Sequence, residues 1–404
     1  MKRGILFAVV FACVLGIAGC GVAGTNAEAG AGADGKPSAD LPATGDDAMA
    51  AWKAAYPEVF AEYEQENWVT SEDYGHTRNW SHSNTEATEY GGRAYSSLYD
   101  YMDWSACIAC KSTYYNDLYN EYGDAAFTEM KETDIWKDVP SWWGCDTCHT
   151  SVDDLTLRTN MVYYENLVAP QWEGEDINTL VCGQCHNFSG VFYGTEGVDD
   201  HMAFDIYRNG TDPDGLYKTL VEYTLETGSE SGFPGFIDPV TGAILVGNDQ
   251  IDLESFMGSN HQKLGMTCVD CHGAHYNGSP LENEETLGYC LTCHESRGIE
   301  STAAMRDMVQ AGEAELKEAL VSARATHTEL GELLAVATEA GQEGAAIDEA
   351  REKYSKAYFD LMYVEGYNID FGKKLSHNPT VMHELTAEAQ TLSDEGVQLM
   401  TAAA

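Results

Sequence analysis

Positive charge is scarce in this chain. Its 404 residues carry 22 Lys and Arg against 66 Asp and Glu, a formal charge of −44. Nucleic-acid recognition runs on clustered Lys and Arg against phosphate and is excluded, and anionic lipid surfaces are disfavoured on the same ground. Long apolar runs are lacking too. The single run of note, Ile5 to Ile17, is too short for a lasting membrane span. No quinone or nicotinamide motif is present, and after residue 302 the only proline is Pro379, so little there interrupts helices. Hydrophobic residues still make up 44% of the chain, enough for a packed core, which separates it from a disordered acidic tail.

Lys2 and Arg3 followed by that apolar run have the layout of an export signal. The run closes on Ile17-Ala18-Gly19-Cys20, which resembles a bacterial lipoprotein cleavage box with Cys20 as the lipidated first residue; an ordinary secretory cut nearby is the alternative. Residues 1–19 are therefore expected to be a signal and residues 20–48, rich in Gly, Ala and Asp, a flexible tether. The mature protein is expected to sit lipid-anchored on the outer face of the cytoplasmic membrane.

Cysteine is abundant, and none is left over. Apart from Cys13 and Cys20, all ten cysteines fall in CxxC pairs: Cys107 and Cys110, Cys145 and Cys148, Cys182 and Cys185, Cys268 and Cys271, Cys290 and Cys293. Four pairs are followed at once by histidine, at His149, His186, His272 and His294. In that spacing one turn of chain offers two thiols to the vinyl groups of a haem, and the next residue brings an imidazole beneath the iron. Zinc ribbons use CxxC pairs two at a time and need no adjacent histidine. Five strained CxxC disulfides in one exported chain would be peculiar. Five covalently bound haem c groups are expected.

The first pair departs from the rest. Cys107-Ile108-Ala109-Cys110 is followed by Lys111. Either Lys111 is a surface residue, or it ligates the iron as a neutral amine, which requires burial and the metal to depress its pKa from about 10.4. An iron with one unusual protein ligand and an open opposite face is where substrate binds, whereas irons held by two histidines only pass electrons.

One CxxCK motif followed by four CxxCH motifs resembles the pattern of the ammonia-forming pentahaem cytochrome c nitrite reductases, over nearly all of the mature chain. His82 with Arg93 eleven residues later resembles the stretch that supplies a distal ligand and an active-site arginine. Ser376-His377-Asn378-Pro379 resembles the family's His-Asn-Pro segment. The resemblance implies a mainly α fold with a loop-rich haem core over residues 49–302 and long C-terminal helices over 303–404 that form a homodimer interface. It also implies distal ligands paired as His186 with His82, His294 with His261, His149 with His275, and His272 with His377; His76 is the rival of His82. His327 falls instead on an apolar stripe, Leu316, Leu320, Ala323, Leu330, Leu334 and Ala337, and reads as a packing residue. The stretch reads as three helices with turns near Gly341–Gly344 and Asn378–Pro379.

Elsewhere the pattern fails. The family's glutamate and tyrosines after the third motif bind calcium; here Asn187-Phe188 follows His186, leaving calcium in doubt and Tyr193 as the stand-in for the active-site tyrosine. Counting back eleven from His261 to the family's catalytic histidine gives Gln250, with Asp252, Glu254 and Phe256 in register, and a one-residue gap gives Ile251. Gln250 donates a hydrogen bond but cannot shuttle a proton at neutral pH. Loss of a positioned acid costs roughly a hundredfold to ten-thousandfold in rate. His201 either replaces that histidine or is an exposed loop residue.

Three functions compete. The first is six-electron reduction of nitrite to ammonium, with the anion held by Arg93 and Tyr193 beside the Lys111 haem. A sister reductase would act on another small oxidised substrate: hydroxylamine, nitric oxide, sulfite or an organic acceptor. A pure electron carrier is disfavoured because it has no use for Lys111. The expected electron donor is a membrane quinol-oxidising multihaem cytochrome.

Overall fold

The computed structural model describes residues 54–57, 114–123, 125, 148–150, 152, 155–159, 169–188, 206–227, 235–247, 251–273, 280–365 and 373–403. Helix accounts for 72% of these, and the one sheet among the described residues is a two-stranded hairpin, so the expected mainly α architecture is observed. In chain order the helices are α1 (Tyr114–Tyr122), α2 (Ile177–Gly183) and α3 (Pro213–Thr227), then the hairpin strands β1 (Gly235–Ile237) and β2 (Ile244–Val246). Four short helices follow: α4 (Asp252–Phe256), α5 (Asn260–Lys263), α6 (Cys268–His272) and α7 (Glu284–His294). The long helices α8 (Thr302–Glu339), α9 (Ala345–Glu365) and α10 (Pro379–Ala403) close the chain.

The apolar stripe explains α8. Leu316, Leu320, Ala323, His327, Leu330, Leu334 and Ala337 are all buried on one face of its 38 residues, a rod about 57 Å long at 1.5 Å per residue. Ser301 caps its start, its side chain accepting from the Ala304 N–H at 3.1 Å. Pro379 opens α10 at the first helical position, where a missing N–H costs nothing. Gly396 lets α10 approach α8, since a Cβ there would lie 2.5 Å from Leu330 Cδ2. His327 is 4% exposed, stacks on Tyr354 with centroids 4.1 Å apart and donates from Nε2 to the Tyr354 carbonyl at 3.2 Å. Burial pushes its pKa down to about 4, so it is neutral and serves packing.

The main core joins this bundle to the middle of the chain. Leu216 and Leu220 from α3, Val246 from β2, Leu253 from α4, Leu316 and Leu320 from α8, and Phe359 and Tyr363 from α9 share one buried cluster. A smaller cluster of Leu330, Leu334, Ile347, Ala350 and Met400 packs the far end of the long helices. Lys356 links α3 to α9 by ion pairs to Asp214 at 2.9 Å and Asp360 at 2.6 Å. The hairpin is pinned on the same surface: the Thr241 carbonyl accepts from Arg351 Nε and Thr338 Oγ1, each at 3.0 Å. No helix among the described residues is long and apolar enough to cross a membrane.

Candidate functional site

The cysteine motifs sit on capped helical turns. In α6 the Thr267 N–H donates to Asp270 Oδ2 at 2.7 Å, so the residue between the two cysteines fixes the turn that starts with Cys268. Asn283 caps α7, accepting from the Glu285 and Thr286 N–H groups, and α7 carries Cys290, Cys293 and His294 to its end. Asp176 caps α2 at 2.8 Å, and the turn continues through Cys185 and His186, whose N–H groups both reach the Cys182 carbonyl. Gly183 stands between the thiols because a Cβ there would lie 2.9 Å from Leu253 Cδ2. This close approach seats α4 against the motif, and Leu253 N–H donates to the His186 carbonyl at 2.9 Å.

Thiols of successive motifs are neighbours. Cys268 contacts Cys182, and this contact together with burial pushes its thiol pKa up. Burial, with Cys290 next, raises Cys271 to about 12.

Imidazoles come in facing pairs. The ring centres of His261 and His294 are 6.3 Å apart, and so are those of His272 and His377. A first-row metal takes an imidazole nitrogen at about 2 Å, and with the ring centre about 1.1 Å beyond, two imidazoles on one ion lie about 6.2 Å apart. Each separation matches that of two imidazoles sharing one ion.

Hydrogen bonds orient three of the rings. His149 Nδ1 is 2.9 Å from the Leu155 carbonyl, which can only accept, so Nδ1 carries the proton and Nε2 the lone pair. His186 Nδ1 is 3.1 Å from Asp252 Oδ2, with the same result. Ser255 Oγ donates to the Asp252 carbonyl at 3.0 Å and therefore accepts from His377 Nδ1 at 3.1 Å. His272 has its pKa lowered by burial and then by His186, with Asp252 opposing.

Glu254 lies beneath these groups. Its Oε1 accepts from Tyr207 Oη at 2.6 Å and from the Phe188 N–H at 2.8 Å, while Oε2 is buried without a partner. Burial raises this carboxyl to about 7. The sequence alone marked Asp252 and Glu254 only as register points; it carried no signal for Ser255 or for either carboxylate's partners.

Cys20, His82, Arg93, Cys107, Cys110, Lys111, Cys145, Tyr193, His201, Gln250 and His275 lie outside the described residues. Ile251, the alternative register position, is fully buried.

CxxCH turns on capped helices, with further histidines set opposite them, define the class of multihaem c-type cytochromes. The sequence profile of the cytochrome c552 family matches residues 44–404, and the chain belongs to that family, which implies covalently bound haem c. Among curated relatives, the cytochrome c nitrite reductase subunit NrfA of Nitratidesulfovibrio vulgaris is 24% identical over 328 residues, 73% of this chain and 60% of that protein. Cytochrome c-552 of Haemophilus ducreyi is 25% identical over 240 residues, 54% of this chain and 44% of that protein. The alignments thus span less than two thirds of these relatives' lengths. The structure of cytochrome c nitrite reductase from Desulfovibrio desulfuricans superposes with a TM-score of 0.63 at 19% identity, covering 88% of this chain and 86% of that one, which establishes a shared fold.

Proposed function

We propose that this chain is an exported reductase with five covalently bound haem c groups that converts nitrite to ammonium at the haem attached through Cys107 and Cys110 and ligated by Lys111. The observation that carries the reductase reading is Lys111 directly after Cys107-Ile108-Ala109-Cys110; the two imidazole pairs, His261 with His294 and His272 with His377, each spaced at 6.3 Å beside a CxxCH turn, support the electron-transferring haems. On this reading the ten paired cysteines hold the haems, and His149, His186, His272 and His294 ligate from the motif side. His82, His261, His275 and His377 would be the further histidine ligands of these haems. The haem groups supply one-electron transfer and, at the Lys111 position, a site for substrate.

The chain's own residues do the rest. Leu155 and Asp252 hold His149 and His186 in the tautomer that presents Nε2. Arg93 and Tyr193 bind and orient the oxyanion, and the Arg93 guanidinium adds positive charge where the chain as a whole repels anions. Gln250 donates a hydrogen bond at the family's catalytic register, and His201 is the candidate proton carrier. Calcium is doubtful, because the glutamate expected after His186 is replaced by Asn187. The assembly expected is a homodimer through α8 to α10, anchored through Cys20 outside the cytoplasmic membrane and fed by a membrane quinol-oxidising multihaem cytochrome.

One observation favours a second reading. Neither Gln250 nor the buried Ile251 is a histidine, which fits a reductase for hydroxylamine, nitric oxide, sulfite or an organic acceptor. The test is the purified holoprotein with a reduced viologen, given nitrite, hydroxylamine and sulfite in turn while ammonium is measured. Ammonium from nitrite supports the first reading. No ammonium from nitrite, together with a high-spin haem signal, supports the second, and a wholly low-spin spectrum that ignores added ligands leaves an electron carrier.

A further inference from the structure

Asp252 faces one motif histidine and the histidine set opposite another motif. Its Oδ2 is 3.1 Å from His186 Nδ1 and its Oδ1 is 4.0 Å from His377 Nδ1. His186 belongs to the Cys182–Cys185 turn, whereas His377 faces His272 of the Cys268–Cys271 turn. The two turns are themselves adjacent through Cys182 and Cys268. His377 has a nearly fully buried hydroxyl as its closer partner: Ser255 accepts from His377 Nδ1 at 3.1 Å and is held by its own bond to the Asp252 main-chain carbonyl. One ring thus meets a charged acceptor directly, and the other meets a neutral acceptor with the carboxylate 4.0 Å away.

We infer that Asp252 is a positioning residue shared by two haem irons, setting unequal reduction potentials at the His186 and His377 centres through their Nδ1 protons. This rests on the ligation proposed above. A carboxylate accepting from Nδ1–H makes the imidazole a more electron-rich ligand, which stabilises ferric over ferrous iron and lowers the potential. A hydroxyl acceptor does this less. One electron enters each iron on reduction and Nδ1 keeps its proton throughout, so the effect is electrostatic and needs no proton transfer. The His186 centre is therefore held lower than it would be with a neutral acceptor, and the His377 centre is lowered by a smaller amount.

The experiment is an electron-paramagnetic-resonance-monitored potentiometric titration of the holoprotein and of the Asp252→Asn, Asp252→Glu and Ser255→Ala variants, with haem content measured for each. Asp252→Asn is expected to raise two of the low-spin potentials and leave the rest in place. The larger shift is on the order of tenfold in the oxidised-to-reduced ratio at fixed potential, about 59 mV for a one-electron couple. Asp252→Glu is expected to restore most of it. In Ser255→Ala the freed Nδ1–H turns toward Asp252 Oδ1, so one potential falls and the others stay. This variant retains the carboxylate and decides the matter if Asp252→Asn fails to mature. Unchanged potentials in Asp252→Asn, or in Ser255→Ala should that be the variant that matures, overturn the inference while leaving ligation intact. Native protein without low-spin haems bearing two axial histidines overturns ligation and the inference together.

Discussion

The long C-terminal helices and the motif-bearing helices before them solve the problem of an interior in opposite ways. Helix α8 buries a full stripe of its own residues, including Leu316, Leu320, Leu330 and Leu334. Helices α5 and α6 bury none of theirs, and α7 buries only Thr286 and Leu287. A helix of four or five residues has no stability of its own in water, so what holds α5 and α6 is their caps, their neighbours and whatever fills the space their side chains leave. In the first region side chains are the core; in the second the short helices bury few of their own side chains and are left to wall the haem c that the family implies.

The largest break in this contrast is removal of attachment. Replacing Cys268 and Cys271 by Ala is expected to remove one haem per chain and to raise amide hydrogen exchange across 251–300, while α8 to α10 keep their protection. Equal loss in both regions would show that the contrast is false. Next comes the bundle itself. Leu330→Ala is expected to cost about 2–5 kcal/mol in denaturant unfolding with the haem spectrum unchanged. Because Gly396 exists to admit Leu330, Gly396→Ala alone is expected to destabilise by about 1–3 kcal/mol, and the two together by less than their sum.

A pH experiment sharpens the boundary between the regions, where Glu254 sits. Burial raises this carboxyl from 4.5 to about 7, so over that window the folded chain holds a proton that the unfolded chain gives up. Its contribution to stability is complete below about 4.5 and is lost as pH rises through about 7. Glu254→Gln keeps an acceptor for Tyr207 and Phe188, and is expected to flatten the fall in unfolding free energy between about pH 4.5 and 7, an effect of at most about 3 kcal/mol. An unaltered pH slope counts against a buried, protonated Glu254. The smallest effect expected is His327→Phe, which keeps the stack on Tyr354 and loses one hydrogen bond, about 1 kcal/mol. Haem content should be unchanged, in contrast to any change at His377.

The two regions were also unequally legible. Every residue of the α8 stripe is readable from sequence because a helix brings positions three and four apart to one face, and the periodicity survives over many turns. The CxxCH turns are readable for the same local reason. Facing histidines are another matter, because His272 and His377 meet across a long stretch of chain, and only resemblance to a known family suggests which ring faces which. Asp252 and Ser255 were invisible as partners. An acidic residue opening Asp252-Leu253-Glu254-Ser255 looks like an ordinary helix start, and its role depends on His186, 66 residues earlier. Burial of Glu254 was equally hidden, since nothing in local sequence shows that Tyr207 and Phe188 converge on it.

The hairpin and His377 bear on the order of assembly. Thr241 is pinned by Arg351, 110 residues later, and Ser255 finds its histidine 122 residues later. A chain synthesised from its N-terminus therefore presents its thiols before the surfaces that enclose them exist. Attachment can run on an open chain, with closure timed by arrival of the last helices.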